Sequence, residues 1–349
     1  MTKKRFVLAI DGGGVRGLVA ATLLDGLARA LELAGSAKPF ADHFDLIAGT
    51  STGAIIAAAI AAPGDGGKVP RRSPADLRKL YRTRSNEIFP RRFWCRLPVF
   101  GRLRQFFGPL YSPDPLVRIL DDELADMTFA DARRNLLICS YSIDPRGTAF
   151  FRGGPDYQAA VRNGHLPAGV TEPANGVLLK DAATGSAAAP TFFPPHQITD
   201  GLTNETRTVI DGGVFLNDPA LLAFADAVML YPDDEIHVVS IGTGRLTDPY
   251  PFDVARGWGF FEWLSPLGRF RTPLISAISD GQARAVNAQL QKLIQDRYYR
   301  LDYDLTSGYG SPNLDDASKR NLKRLEEGAQ KMVDEMGDQF ARIATDFLA

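Results

Sequence analysis

Residues 44–60 read FDLIAGTSTGAIIAAAI and place GTSTG, residues 49–53, between two apolar runs. The run before Gly49 is typical of a buried strand, and the run after Gly53 is typical of a buried helix. A serine with a glycine two positions away on each side, at a strand-to-helix turn, is the pattern of a nucleophile elbow, whose tight turn lifts the hydroxyl out of the sheet. Small polar residues between glycines also form ordinary loops. The stretch therefore predicts that Ser51 is a nucleophile, with an ordinary loop as the alternative.

Strand-like and helix-like segments alternate along the rest of the chain. Apolar runs predict strands at residues 6–10, 135–141, 149–152, 206–210, 235–241 and 298–303, besides the strand that ends at Ser51. Helical spacing predicts helices at residues 15–33, 112–124, 179–188, 219–230 and 272–295. Strands that alternate with helices imply an α/β fold, and we expect three α/β/α layers around a mostly parallel central sheet.

The length of 349 residues and the hydrophobic content of 45% are sufficient for a large core that can enclose an active site. One large domain or two ordinary ones would fit this length, and we expect a single catalytic domain over residues 1–349. Two segments differ from the rest: an insertion or cap rich in arginine and aromatic residues at about 64–113, and a helical segment at about 315–349, where Gly328 and Gly337 are candidate breaks.

Overall charge is balanced, with 40 basic and 41 acidic residues, so the whole chain does not favour a polyanionic partner. Two cysteines are too few for a disulfide framework and favour a reducing compartment. The apolar run near the amino terminus stops at Asp11, which is short for a signal peptide, and no apolar run of about 18 residues occurs. We expect a cytoplasmic protein whose contact with membranes is peripheral.

Local charge is strong at residues 68–104, where twelve basic residues stand against two acidic ones, with aromatic residues interleaved. Such a segment suits an anionic membrane surface, to which each basic residue contributes about 1 kcal/mol. Solvated helix faces are the alternative interpretation, and single-stranded nucleic acid is a weaker one, because no nucleic-acid-binding motif accompanies the segment.

A glycine-rich loop, DGGGVRG at residues 11–17, follows the first predicted strand and opens the first helix. Its backbone amides can form a concave anion site, to which Arg16 adds a positive charge. The same glycines satisfy the dinucleotide-binding pattern, although no acidic residue ends a second strand about 20 residues later. A nucleotide-cofactor site and a purely structural turn therefore remain alternatives.

The tripeptide Asp211-Gly212-Gly213 follows another predicted strand and, taken alone, is typical of a turn. Because parallel strands end at one edge of a sheet, we expect Asp211, Ser51 and the glycine-rich loop to lie close together. A hydrolytic triad would need a histidine. The chain has four histidines: His43, His165, His196 and His237. We expect a structural or solvated role for each, and His196 is the best remaining catalytic candidate.

In order and spacing, four motifs resemble those of the patatin-like phospholipase family: DGGGVRG at 11–17, GTSTG at 49–53, AAAPTFFP at 187–194 and DGG at 211–213. The resemblance covers the chain from Phe6 to about Gly244. It implies a catalytic dyad instead of a triad, with Ser51 as nucleophile and Asp211 as its base. The implied oxyanion donors are Gly12, Gly13 and Gly14; Gly49 and Gly53 shape the elbow, and Gly212 and Gly213 support the aspartate. Arg16 would steady the glycine loop or the acyl oxygen, with a salt bridge to a carboxylate as the alternative.

The resemblance implies a lipid acyl hydrolase of phospholipase A type that needs no metal and no cofactor. Its expected partners are a phospholipid substrate, an anionic membrane surface, and a small-molecule activator or a second copy of the chain, but no nucleic-acid polymer. The alternatives are a membrane-degrading effector gated by a ligand, as some bacterial members are by cyclic nucleotides, and a nucleotide-cofactor protein. Four aromatic residues beyond the matching motifs should line the acyl channel or its lip, or else belong to the core: Trp258, Phe260, Phe261 and Trp263.

Overall fold

A mixed sheet of eight strands forms the middle of the protein in the part of the chain that is described. The computed structural model describes residues 2–64, 66–67, 69–90, 108–163, 173–245, 249–264, 272–305 and 309–348. The strands are β1 (Lys4–Ile10), β2 (Leu46–Thr50), β3 (Asn135–Asp144), β4 (Arg146–Gly153), β5 (His196–Thr199), β6 (Thr206–Asp211), β7 (Glu235–Ile241) and β8 (Tyr298–Leu301).

Five strands, in the order β3-β2-β1-β7-β8, run parallel to one another. The other three are antiparallel additions on the β3 side, where β4 and β6 both pair with β3 and β5 pairs with β6. The predicted α/β architecture with a mostly parallel sheet is confirmed, with an antiparallel portion that the sequence patterns did not predict.

Helices cover both faces of the sheet and complete the three layers. They are α1 (Gly17–Leu33), α2 (Thr52–Ala61), α3 (Pro74–Ile88), α4 (Asp114–Leu124), α5 (Pro155–Arg162), α6 (Leu179–Ser186), α7 (Ala220–Leu230), α8 (Phe252–Ala255), α9 (Phe260–Leu264), α10 (Pro273–Ile294), α11 (Lys319–Glu335) and α12 (Gly337–Leu348). Strand β1 shows why there are two cores: Leu8 and Ile10 join one hydrophobic cluster, and Val7 and Ala9 join the other. Successive side chains of a strand point to opposite faces, so a strand that is apolar at every position must be buried on both.

The first cluster packs α1, α2, α3, α4, α6, α11 and α12 on one face, and the second packs α5, α7 and α10 on the other. Part of the segment at 64–113 forms α3, which begins at a capping box between Ser73 and Asp76. The aromatic residues between positions 91 and 107, on which the membrane-surface interpretation of this segment depends, lie outside the described residues.

Two expectations about individual elements were wrong. The predicted strands omit β5, a short edge strand with little apolar content that begins at His196. Gly328 lies inside α11 and does not break it; it packs against the Tyr303 hydroxyl, which occupies the space that a side chain at this position would need. In the part of the chain that is described, no helix has the length and apolar character that crossing a membrane requires.

Candidate active site

Ser51 lies in the turn between β2 and α2, in a backbone conformation that only a strained turn adopts. Its φ of 56° and ψ of −123° are outside the regions that an L-residue favours. The turn is tight because the chain crosses itself closely: a β-carbon on Gly53 would lie 2.1 Å from the Ile10 carbonyl oxygen. The hydroxyl therefore stands at the amino end of α2, where the helix dipole favours negative charge.

The Ser51 hydroxyl donates a hydrogen bond to Asp211 across 160 residues of sequence, with an Oγ–Oδ2 distance of 2.6 Å. Ser51 is 9% exposed and Asp211 is 5% exposed, so the contact is shielded from bulk water. The other carboxylate oxygen of Asp211 accepts the Gly213 N–H at 2.7 Å. Both oxygens thus have fixed partners, and the one facing Ser51 is positioned to receive its proton.

The reason for this meeting differs from the expected one. Asp211 does not follow a strand parallel to β2, because β6 is antiparallel to β3. Since β4 pairs along most of one edge of β3, β2 and β6 share the opposite edge and approach each other along it. Thr50 pairs with Cys139, and Asp211 pairs with the next residue, Ser140. The carboxyl ends of the two strands therefore face each other end to end, and Ser51, which follows β2, meets Asp211, which ends β6.

Burial raises the pKa of Asp211 from 3.8 to about 6, while the hydrogen bonds from Ser51 and Gly213 act in the opposite direction. A carboxylate with this pKa is mainly ionised at pH 7 and is a stronger base than an exposed aspartate. It can accept a serine proton near neutral pH, which is the requirement for a general base.

Ser186, which sequence reasoning missed, holds the main chain of Ser51. Its Oγ accepts the Ser51 N–H at 2.8 Å and donates to the Cys139 carbonyl at 2.6 Å. The residue is fully buried at the end of α6, immediately before the AAAPTFFP motif at 187–194. That position was the only available signal in the sequence. The side chain links the strained turn to β3, the strand that also pairs with the aspartate strand.

The glycine-rich loop passes beside Ser51, but its three glycines are not equivalent. The Gly12 N–H donates to the Asn217 carbonyl at 3.1 Å, so the expectation that it is a free oxyanion donor was wrong. Within the described ranges, the N–H groups of Gly13 and Gly14 have no hydrogen-bond partner. A β-carbon on Gly13 would lie 2.3 Å from the Thr243 Oγ1, so only glycine fits there. Two backbone donors remain available to an anion.

Arg16 is buried beside this loop without an ion pair to any described carboxylate, so the salt-bridge alternative is not realised in that part of the chain. Its guanidinium lies 3.4 Å from both the Gly13 and the Gly244 carbonyl oxygens. Burial lowers the pKa of Arg16 to about 10, which leaves it charged at neutral pH. Arg16 therefore brings a positive charge to the loop while bracing it.

A buried ionic cluster anchors the start of the glycine loop. Arg300 on β8 binds both carboxylate oxygens of Asp11, at 3.0 and 2.6 Å. The same guanidinium lies 3.3 Å from Asp218 and 3.0 Å from Asp302. Burial raises the pKa of Asp11, and the attraction of Arg300 opposes this rise. Removing the arginine would leave three buried carboxylates together, so we assign it a structural role beneath the loop.

Ser51 and Asp211 open onto a pocket whose walls are mainly apolar. Helices α3 and α4 and the segment after α6 contribute these walls through Leu80, Ile88, Phe89, Leu116, Ile119, Leu120, Phe192 and Phe193. A pocket of this composition suits a hydrocarbon chain, with a few polar groups at one end that fix its orientation.

Over residues 8–224, the chain matches the family model described as Patatin-like phospholipase. The chain belongs to the patatin-like phospholipase family. Patatin-like protein 2 of Oryza sativa subsp. indica is 32% identical to it over 356 residues, which cover 94% of this chain and 83% of the rice protein. Patatin-like protein 1 of Arabidopsis thaliana is 31% identical over 353 residues, covering 94% and 81%. Among solved structures, VipD from Legionella pneumophila matches with a TM-score of 0.40 and 12% identity, over 96% of this chain and 67% of VipD.

The range matched by the patatin-like model contains Ser51, Asp211 and the whole glycine loop. Thr243 and Arg300, which pack against that loop, lie beyond the matched range. The carboxyl third, which the family motifs do not cover, therefore supports the glycine loop through these two residues.

The histidines of this patatin-like chain stand apart from the site. His43 hydrogen-bonds to Ser36, His237 to Glu235 and His196 to Asp181, and none of the three lines the pocket. His165 lies outside the described residues. The aromatic residues from Trp258 to Trp263 do not line the pocket either, and two of them, Phe260 and Phe261, are exposed and not part of a core.

Proposed function

We propose that this patatin-like protein is a lipid acyl hydrolase of phospholipase A type, which cleaves acyl esters of glycerophospholipids. Family membership supports lipid ester hydrolysis in general. The observation that carries the finer proposal is the 2.6 Å contact between Ser51 Oγ and Asp211 Oδ2 at the end of an apolar pocket. Such a pair supplies a nucleophile and a base, and the pocket can hold the fatty acyl chain.

In the proposed first step, Ser51 Oγ attacks the acyl carbonyl carbon while its proton passes to Asp211. The carbonyl oxygen becomes an oxyanion, for which the N–H groups of Gly13 and Gly14 are the proposed donors. When the tetrahedral intermediate collapses, the ester bond breaks and Asp211 returns the proton to the departing glycerol oxygen. The products of this step are a lysophospholipid and an acyl-enzyme on Ser51.

In the second step, Asp211 removes a proton from water as the water oxygen attacks the acyl-enzyme. Collapse of the second intermediate releases the fatty acid and restores the Ser51 hydroxyl with that proton. Arg16 and the amino end of α2 contribute further positive potential near the oxyanion. Because the positive potential comes from the chain itself, we expect the reaction to proceed without a metal ion or cofactor and to resist chelators.

The test is release of fatty acid from defined phospholipid vesicles, with the lipid products identified by mass. We expect Ser51→Ala to reduce the rate by more than about 10³-fold, because among the described residues Ser51 is the hydroxyl placed against the proposed base Asp211. Ser142→Ala is the matched control: this serine is also buried, on β3, and its hydroxyl has no hydrogen-bond partner among the described residues. Near-normal release by purified, folded Ser51→Ala would reject the assignment.

The same assay tests the alternatives. A ligand-gated effector would release fatty acid only when a cyclic nucleotide from a panel is added, and its mass in solution would be measured in parallel. A nucleotide-cofactor protein would carry bound cofactor absorbance after purification and would be indifferent to Ser51→Ala. The proposal expects activity without added nucleotide, in a protein that acts in the cytoplasm at a membrane surface.

A further inference from the structure

Exposed apolar side chains are concentrated on α8, α9 and the first turns of α10. Phe252 is 77% exposed, Phe260 72% and Phe261 55%. Three aliphatic residues on α8 and α10 are exposed as well: Val254, Leu274 and Ile278. We call these six residues the apolar rim. Isolated exposed apolar residues are ordinary on a protein surface, but a contiguous group of this kind marks an interaction site.

Half-buried aromatic rings support the rim from inside. The Tyr250 and Trp258 rings are 5.3 Å apart, and the Trp258 and Trp263 rings are 4.9 Å apart. Helix α9 also packs against α10. The tryptophans thus face the protein while the phenylalanines face outward. The ring contacts and the packing of α9 on α10 fix the phenylalanines in this position.

The rim borders the mouth of the active-site pocket. On α10, Ile275 and Ser279 line the pocket, whereas Leu274 and Ile278, one position earlier in each case, are exposed. Residues four apart lie on one stripe of a helix, so the pocket stripe and the exposed stripe are neighbours. Ser276, which also lines the pocket, hydrogen-bonds to Tyr250 beneath the rim. The part of the rim on α10 therefore lies next to residues of the pocket that a lipid must enter.

We infer that the apolar rim is a docking surface that inserts into the interfacial layer of a phospholipid bilayer and brings the pocket mouth to its substrate. The substrate part of this inference rests on the proposed function. Exposed phenylalanines on short helices suit the boundary between head groups and acyl chains. The segment from Tyr250 to Leu264 carries only Asp253, Arg256 and Glu262 as charged residues. Apolar insertion, not attraction to anionic lipid, then drives the contact, so binding should occur on zwitterionic lipid.

The experiment measures binding without hydrolysis, by sedimenting the Ser51→Ala protein with phosphatidylcholine vesicles. In that background, we expect Phe260→Asp together with Phe261→Asp to weaken binding by at least about tenfold, because two exposed apolar groups become charged. The control pair, Leu33→Asp with Leu202→Asp, adds the same charge at residues that are 90% and 72% exposed outside the rim, and should bind as the parent does. Raising the salt concentration should change parent binding by less than about twofold.

Equal binding by the rim variant and the control pair overturns the inference, as does parent binding that requires anionic lipid. A parent that is a dimer in solution, and that the rim variant converts to a monomer, also overturns it, since the rim would then join two copies of the chain. Thermal unfolding of each variant checks that the fold is kept. Because hydrolysis is absent from the assay, rim-dependent binding together with a wild type that releases no fatty acid would reject the proposed function and leave the inference standing.

Discussion

The pH dependence of activity, together with the Asp211→Asn variant, tests whether Asp211 is the base of the proposed dyad. The pKa of this carboxyl is raised from 3.8 to about 6 by burial. With the carboxylate as base, kcat/KM of the wild type should fall about tenfold between pH 7 and pH 5, because about one molecule in eleven keeps an ionised base at pH 5. An aspartate with the unshifted pKa would lose only about 6% of its activity over the same interval.

The same shift predicts a change in stability. Because the folded state binds the proton more tightly than the unfolded state, the contribution of Asp211 to stability is fully present below pH 3.8 and is lost as the pH rises through about 6. The difference of about two pKa units corresponds to about 3 kcal/mol. Asparagine is neutral throughout, so Asp211→Asn should become more stable relative to the wild type by an amount of this order between pH 4 and pH 7.5.

Two measurements decide the matter: initial rates of fatty-acid release from pH 5 to 8, and urea unfolding of both proteins at pH 4 and 7.5. Other buried carboxyls, such as Asp11, cancel in the difference between wild type and Asp211→Asn, so the comparison isolates one group. Asp233→Asn is the control, since Asp233 is exposed and has no ion pair among the described residues. A rate that stays flat down to pH 5, or a stability difference that does not move with pH, would refute the reasoning.

Two further substitutions test the parts around the dyad. Ser186→Ala removes the acceptor of the Ser51 N–H. We expect kcat to fall about tenfold or more with little change in KM, and the free energy of unfolding to fall by about 1–3 kcal/mol. A loss of activity that only follows the unfolded fraction of the protein contradicts this. Gly13→Ala forces a β-carbon against Thr243 and should lower kcat by about 10²-fold or more. The control is Gly281→Ala: a β-carbon at this position on α10 meets open space, so the variant should be as stable as the wild type or slightly more stable. Equal activity of the two variants in the vesicle assay argues against the oxyanion assignment.

The sequence predicted the features that depend on local chemistry. The elbow around Ser51 follows from glycine spacing and flanking apolar runs, and the strand at Glu235–Ile241 was predicted with its observed bounds. Buried strands are easy to find because they are apolar at every position. The short β5 was missed because only Ile198 of its four residues is buried, which leaves no pattern to read.

Features that depend on pairing between distant segments could not be predicted. The direction of β6 is decided by its hydrogen bonds to β3, which leave no mark on the sequence of Thr206–Asp211. The occupation of the Gly12 N–H depends on Asn217, some 200 residues away. The sequence around Arg300 and Ser186 gives no sign of their distant partners, which are visible only once the sheet has assembled. Motif order identified the family, but the donor count and the supports of the loop needed coordinates.

The proposed dyad also explains how a hydrolase of this design could operate without histidine. A histidine is useful as a base because its ordinary pKa of about 6.5 is close to neutral pH, whereas an exposed carboxylate has a pKa of about 4 and is too weak a base. Burial raises the pKa of Asp211 to about 6, which is close to that of a histidine. The Ser51 hydroxyl and the Gly213 N–H keep the pKa from rising further, which would leave the base protonated at neutral pH. Burial and two hydrogen bonds together thus supply the basicity that an imidazole supplies in a triad.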